Sequence, residues 1–176
     1  YFYFREYGQT ISQAINKYVY VIIKSHNNYD EKYRINYSKT ENVNYLDKMK
    51  NKRVKAILKY FKFNKPLYIS TISDIPANTG LGSSSAFTVG LIKAVSILLK
   101  KKISKKQIAE LAFKIENKSL KEDLGKQDHY IAAFGGLKHI IYKKKNIKMK
   151  NINRIKENIN YLIRNSLLIF TNQKRE

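Results

Sequence analysis

Apolar and polar positions along this chain change their period several times, and each change marks an element. Val54, Ile57, Leu58 and Phe61 recur at i, i+3, i+4 and i+7, the spacing that stacks side chains on one helical face, so an amphipathic helix is predicted between Asp47 and Phe61. Phe87, Leu91, Val95, Leu98 and Leu99 line a second face and predict a helix from Ser84 to about Leu99. A third helix is announced by Ser104 and Gln107, spaced as a capping box, ahead of Ile108, Leu111, Ala112 and Ile115. "QDHYIAAF" reads as a short helix stopped by Gly135 and Gly136.

Between these lie stretches rich in β-branched and aromatic residues. "TISQAINKYVYVIIK" reads as two strands with a break near Asn16, and "KPLYISTIS", "LKHIIYKK" and "SLLIFTN" as further strands, the last two separated by a polar helix. "HNNYDEKYRINYSKTENVN" is polar enough to be a hairpin or a loop. Neither an internal repeat nor a Pro/Gly/Ser-rich linker divides the 176 residues, so one domain is predicted, α+β in class, with helices packed on a mostly antiparallel sheet.

Composition narrows the picture. With 43% hydrophobic residues and 12% aromatic ones, the chain can build a real core. It has no cysteine, which removes disulfides and thiolate metal sites and is compatible with a reducing cytoplasm. No apolar run approaches the roughly 20 residues that cross a bilayer, and "YFYFREYGQT" lacks the layout of a signal peptide. The reading is a soluble, cytoplasmic protein without a membrane partner. A formal net charge of +22 raises nucleic acid as a partner. The lysines, however, are spread over "DKMKNKRVKAILKYFK", "LLKKKISKK" and "IIYKKKNIKMKN" and rise together with Asn, Ile and Tyr. A solvated basic surface therefore accounts for them better than a nucleic-acid face.

One stretch breaks the lysine-rich background. "SDIPANTGLGSSSAFTVGLIKA" places two glycines and three serines directly before a helix. A glycine-rich turn that runs into a helix N-terminus exposes backbone N–H groups, and the helix dipole adds partial positive charge, so the place suits a phosphate. Gly80 and Gly82 allow close approach, and the serines add donors and one potential magnesium ligand. The pattern is neither G-x-x-x-x-G-K-[ST] nor a Rossmann G-x-G-x-x-G. Taken alone, the glycines could make only a turn and Ser83 to Ser85 only cap the helix.

"PANTGLGSSSA", Pro76 to Ala86, resembles the ATP-binding motif P-x3-G-L-G-S-S-A of the GHMP kinases. "AFKIENKSLKEDLGKQDHYIAAFGGL", Ala112 to Leu137, is similar to the family segment that carries a magnesium-binding Glu and a catalytic Asp, and its wording most resembles the bacterial D-glycero-D-manno-heptose 7-phosphate kinases. "FYFREYGQTISQAINKYVYVIIK" looks like the segment those kinases place after their first motif. The resemblance implies a ribosomal-protein-S5-domain-2-like fold and transfer of the ATP γ-phosphate to a sugar-phosphate hydroxyl with Mg2+. It implies that Pro76, Gly80, Leu81, Gly82, Ser83, Ser84, Ser85 and Ala86 form the phosphate loop, with Ser84 and Glu116 on magnesium and Asp128 as the base that takes or orients the acceptor proton. Arg175, in "FTNQKRE", would touch substrate phosphate.

Without that resemblance, Glu116 reads as an exposed helical carboxylate and Asp128 as a helix cap. Ser85 stands where the wider family commonly has alanine. His129 stands where the heptose kinases are expected to have Gln, and by itself reads as a packed or surface residue. The resemblance covers residues 1–176 as a partial N-terminal domain, without the family's R-x-x-x-G-G-G-T-D-like first motif or its C-terminal domain. A chain of that extent is expected to bind Mg·ATP weakly and turn over negligibly. Other substrate classes (mevalonate, homoserine, galactose), an inactive fragment, or a basic nucleic-acid module on the same fold remain the alternatives, and the oligomeric state is open.

Overall fold

The computed structural model describes residues 7–27, 31–76, 79–122, 124–143, 146–152, 160, 161, 163–167 and 169. The strands are β1 (Tyr7–Gln13), β2 (Val19–Ser25), β3 (Tyr33–Asn36), β4 (Thr40–Val43), β5 (Leu67–Ser73), β6 (Leu137–Lys143) and β7 (Asn146–Asn151). The helices are α1 (Lys52–Tyr60), α2 (Ser83–Leu98), α3 (Lys105–Lys114) and α4 (Gln127–Phe134), with a π-helical turn (Ile115–Ser119) continuing α3. Two sheets form, one in the order β2-β5-β3-β4 and one in the order β1-β6-β7. Every pairing is antiparallel except β3 with β5.

The break predicted near Asn16 separates β1 from β2, and these strands join different sheets. "HNNYDEKYRINYSKTENVN" contains the β3–β4 hairpin. The first predicted helix is shorter than its apolar period implied. Asn51 accepts a hydrogen bond from the Val54 amide and so starts α1 at Lys52, while Leu46–Lys48 form a separate 3-10 turn. The polar helix expected after β6 is corrected in its first part, because residues 146–151 pair with β6 as β7. Ile147 and Met149 alternate with lysines, and this period-2 signal outweighed the polar composition that had argued for a helix. Of the strand expected at "SLLIFTN", the described residues Ser166, Leu167 and Ile169 are not in a strand.

Two apolar clusters hold the fold. In the larger, Val54, Ile57 and Leu58 of α1, Leu67 and Ile69 of β5, Ile35 of β3 and Leu91, Ile92 and Val95 of α2 are buried together. The smaller gathers Ala109, Tyr130, Ile140 and Tyr142 between α3, α4 and β6. Helix α3 contributes to both: Ile108, Leu111 and Ala112 face one cluster and Ala109 the other. It therefore links the two clusters, to which Ala133 of α4 is also packed. Among the described residues, no helix is long and apolar enough to cross a membrane.

Candidate active site

The loop that precedes α2 turns through two left-handed glycines, Gly80 (φ 77°) and Gly82 (φ 75°). An L-residue there costs about 1–2 kcal/mol. Gly82 is the N-cap of α2 and has no side chain with which to satisfy the first-turn amides. The Ala86 amide already donates to the Gly82 carbonyl at 2.9 Å, so the amides that remain outside the helix ladder precede Ala86. Pro76, Gly80 and Leu81 are exposed, and Thr79 closes the turn by donating to the Pro76 carbonyl at 3.3 Å.

The three serines are not equivalent. Ser84 is exposed, Ser83 is partly buried, and Ser85 turns inward and is 6% exposed. Ser85 Oγ lies 3.5 Å from Glu116 Oε2. One turn further along the same face, the buried Thr88 hydroxyl donates to Glu116 Oε1. The structure thus brings Ser85, and not Ser84, to Glu116. A polar pair three positions apart on an otherwise apolar helix was the signal that could have revealed this face in the sequence.

Glu116 sits on the π-turn and is completely buried. Besides Thr88 and Ser85, it accepts from His129 Nε2 at 2.8 Å and from Arg53 Nε at 3.2 Å. Burial pushes its carboxyl up. The hydrogen bonds of His129 and Thr88, together with the charges of His129 and Arg53, outweigh burial and hold it below the ordinary glutamate value. An ionised carboxylate is thereby kept in the interior, which rules out the exposed helical Glu. Arg53, Thr88 and the burial of His129 were not found by reading the sequence. Arg53 and the burial of His129 become visible only when α1 and α4 are packed on the π-turn.

Asp128 lies in the first turn of α4, partly buried, directly before His129. A Cβ placed on Gly82 would stand 3.7 Å from both Cβ and Cγ of Asp128, so the carboxylate lies against the glycine loop. Helix α4 is fixed to α3 by Lys126 Nζ, 2.7 Å from Glu110 Oε2, and by the Tyr130 hydroxyl, which donates to Glu110 Oε1. Burial first, and then the Glu110 carboxylate, push the Tyr130 hydroxyl up, so it stays a donor. Ser85 therefore pairs with Glu116 in the first turn of α2, and Asp128 stands beside the Gly82 N-cap of the same helix. Arg175 lies outside the described residues.

On α1 and the π-turn there is also a cleft of about 570 Å3, with Ala56, Tyr60, Ile115 and Leu120 as its apolar lining and Lys52, Lys55, Lys59, Lys114 and Lys121 among its cations. Glu116 belongs to the same five-residue turn as Ile115 and Ser119 of this wall. Among the described residues, no three His, Asp or Glu side chains converge as a cage for a metal ion.

Comparison with known proteins gives this geometry a family. The D-glycero-alpha-D-manno-heptose 7-phosphate kinase of Campylobacter jejuni is 40% identical over 115 residues, which is 64% of this chain and 34% of that protein. A mevalonate kinase of Saccharolobus solfataricus is 35% identical over 81 residues, 46% of this chain and 26% of that one. Among solved structures, a D-glycero-D-manno-heptose 1-phosphate kinase from Bacteroides thetaiotaomicron superposes with a TM-score of 0.72 at 26% identity, covering 82% of this chain and 51% of the other. The chain spans about a third of the first of these curated relatives and about half of that solved structure. The model of the GHMP kinases N terminal domain matches residues 47–136, just over half of the chain and the whole segment from α1 to Gly136 that builds the site, and the protein accordingly belongs to the GHMP kinase family.

Proposed function

We propose that this chain forms the nucleotide side of an ATP-dependent sugar-phosphate kinase, with heptose 7-phosphate as the acceptor. The observation that carries the reading is an open helix N-terminus with one carboxylate, Asp128, beside its glycine N-cap and a buried one, Glu116, paired with Ser85 of its first turn. Phosphoryl transfer asks chiefly for positioning and charge neutralisation, and these are the groups that supply them. Backbone amides of Gly82, Ser83, Ser84 and Ser85 cradle the phosphates. The adenine rests on the apolar lining between Ala56 and Leu120.

The oxygen donors Glu116 and Ser85 suit Mg2+, which would neutralise the charge on the transferring group. Ser84, which is exposed, serves through its amide in this reading, and the serine on magnesium is Ser85, which lies beside Glu116. Asp128 accepts the proton of the acceptor hydroxyl or orients it toward the phosphate. The heptose phosphate is preferred to mevalonate, homoserine or galactose on the wording of the 125–137 segment, "GKQDHYIAAFGGL", and on the identity to the Campylobacter jejuni kinase.

The test is titration of the 176-residue chain with a fluorescent ATP analogue, with and without Mg2+, followed by an assay for phosphate transfer to heptose 7-phosphate and to the three other acceptors. Mg2+-dependent nucleotide binding that is lost in Glu116→Gln supports the site. Binding that is indifferent to both Mg2+ and Glu116→Gln overturns it. Transfer to mevalonate, homoserine or galactose in preference to heptose 7-phosphate overturns the acceptor assignment.

A further inference from the structure

Arg53 joins the first turn of α1 to the π-turn through two unequal attachments. Its Nε lies 3.2 Å from Glu116 Oε1, while its Nη2 donates to both oxygens of Glu122 at 2.7 Å each. The Glu116 side chain is 1% exposed, whereas those of Arg53 and Glu122 are 30% and 33% exposed. Nε of the guanidinium thus touches a dry carboxylate and Nη2 a wet one. Glu122 is itself tied to the turn, its amide donating to the Glu116 carbonyl at 3.0 Å and its carbonyl accepting from Asn117 Nδ2 at 3.3 Å.

Two demands on Glu116 conflict. A buried carboxylate needs a counter-charge, because an ionised group without one is costly in a dry interior. A carboxylate that receives a divalent cation is hindered by a permanent positive charge on the same carboxylate, since the two cations repel. Both demands are met if the counter-charge can withdraw. We propose that Arg53 is a withdrawable counter-ion: it neutralises Glu116 while no divalent cation is bound, and it moves wholly onto Glu122 when a cation takes the carboxylate.

Glu122 already holds Arg53 by the shorter pair of bonds, so withdrawal breaks only the longer contact. The planar fork of arginine allows one residue to serve both carboxylates, which a lysine ammonium on its single nitrogen does less well. Arg53 is in this sense a positioning residue, acting through Glu116. The inference rests on the proposed role of Glu116 as a cation ligand.

Mn2+ alone is the probe, with free Mn2+ read by electron paramagnetic resonance and thermal melting as the check on folding. The proteins are the wild-type chain, Arg53→Gln, Arg53→Lys, Glu122→Gln, the Arg53→Gln/Glu122→Gln double variant, and Glu116→Gln in the wild-type and Arg53→Gln backgrounds. Arg53→Gln is expected to bind Mn2+ about three- to tenfold tighter, the size of a nearby charge effect discounted for partial exposure. Glu122→Gln is expected to bind about twofold weaker, since Arg53 then rests more heavily on Glu116, and to have no effect once Arg53 is gone. Arg53→Lys should fall between wild type and Arg53→Gln.

Unchanged or weaker Mn2+ binding in a folded Arg53→Gln overturns the inference, as does a Glu122→Gln effect that persists without Arg53. Should Arg53→Gln not fold, Glu122→Gln decides, and unchanged or tighter binding there overturns the inference. Glu116→Gln that leaves Mn2+ affinity unaltered in both backgrounds overturns instead the reading of Glu116 as the ligand.

Discussion

The starts of α2 and α3 can be set side by side. At α3, Ser104 Oγ accepts from the Gln107 amide at 3.2 Å and Gln107 Oε1 accepts from the Ser104 amide at 2.8 Å, so two of the orphan donors at that end are satisfied within the helix's own first turn. At α2, three serines follow a glycine N-cap with a left-handed backbone, Ser85 is drawn inward to Glu116, and Ser84 faces solvent. The α3 end consumes its hydrogen-bonding capacity in holding the helix. The α2 end leaves amides available and places two carboxylates beside them. Serine at a helix start thus closes the end where it is itself the N-cap, as at Ser104, and leaves amides open where glycine takes that position, as at Gly82.

Breaking the α2 end at its carboxylate should give the largest effect. Glu116→Ala removes the acceptor of Arg53, Thr88 and His129, and truncating one partner of a buried charged pair costs about 3–5 kcal/mol. About 3 kcal/mol is expected in urea unfolding, at the low end, because Arg53 keeps Glu122. A loss below about 1 kcal/mol, the size of an exposed pair, would show that Glu116 is not the buried centre of the site.

Gly82→Val comes next. Its φ of 75° disfavours any side chain by about 1–2 kcal/mol, and the branches extend beyond a Cβ already 3.7 Å from Asp128. Affinity for the fluorescent ATP analogue should fall about tenfold or more, the equivalent of one lost hydrogen-bonded contact. Nucleotide binding unaffected by this variant would mean that the loop does not hold phosphate.

Ser104→Ala supplies the opposite result at the other helix. It should lower stability by about 1 kcal/mol, as loss of an N-cap does, and leave nucleotide affinity where it was. A change in affinity there would erase the distinction between the two ends.

The smallest effect is on pH dependence. The Glu116 carboxyl is held below its ordinary value in the folded chain, so its contribution to stability is fully present above the unfolded value and is lost as pH falls through the folded one. Wild type should therefore lose more stability than Glu116→Gln when urea unfolding is compared at neutral pH and in mild acid. Parallel acid limbs for the two proteins would contradict the ionised, hydrogen-bonded state of Glu116.

Several of these features could be read directly from the order of residues. The helices of 83–98, 105–114 and 127–134 declare themselves through local spacing, and the capping box of Ser104 and Gln107 is present as written, because both depend on residues three or four apart. The glycine loop and its family likeness were legible for the same reason, since a phosphate loop is built from contiguous backbone. Residues 146–151 were misjudged because lysine and asparagine dominate the composition, although the alternation of Ile147 and Met149 was there.

What the chain determined by itself, then, is local: helix starts, the left-handed glycine turn, and an ionisable residue of the right type at positions 116 and 128. Which serine meets Glu116 was decided by the rotation of α2 on the core, where Ser85 and Thr88 face the π-turn and Ser84 does not. The neutralisation of Glu116 was decided across still greater separations, with Arg53 arriving from α1 and His129 from α4. No pattern of nearby residues encodes such meetings. They arise because burying the apolar faces of α1, α2 and α3 together brings polar side chains to the π-turn, where they satisfy one another.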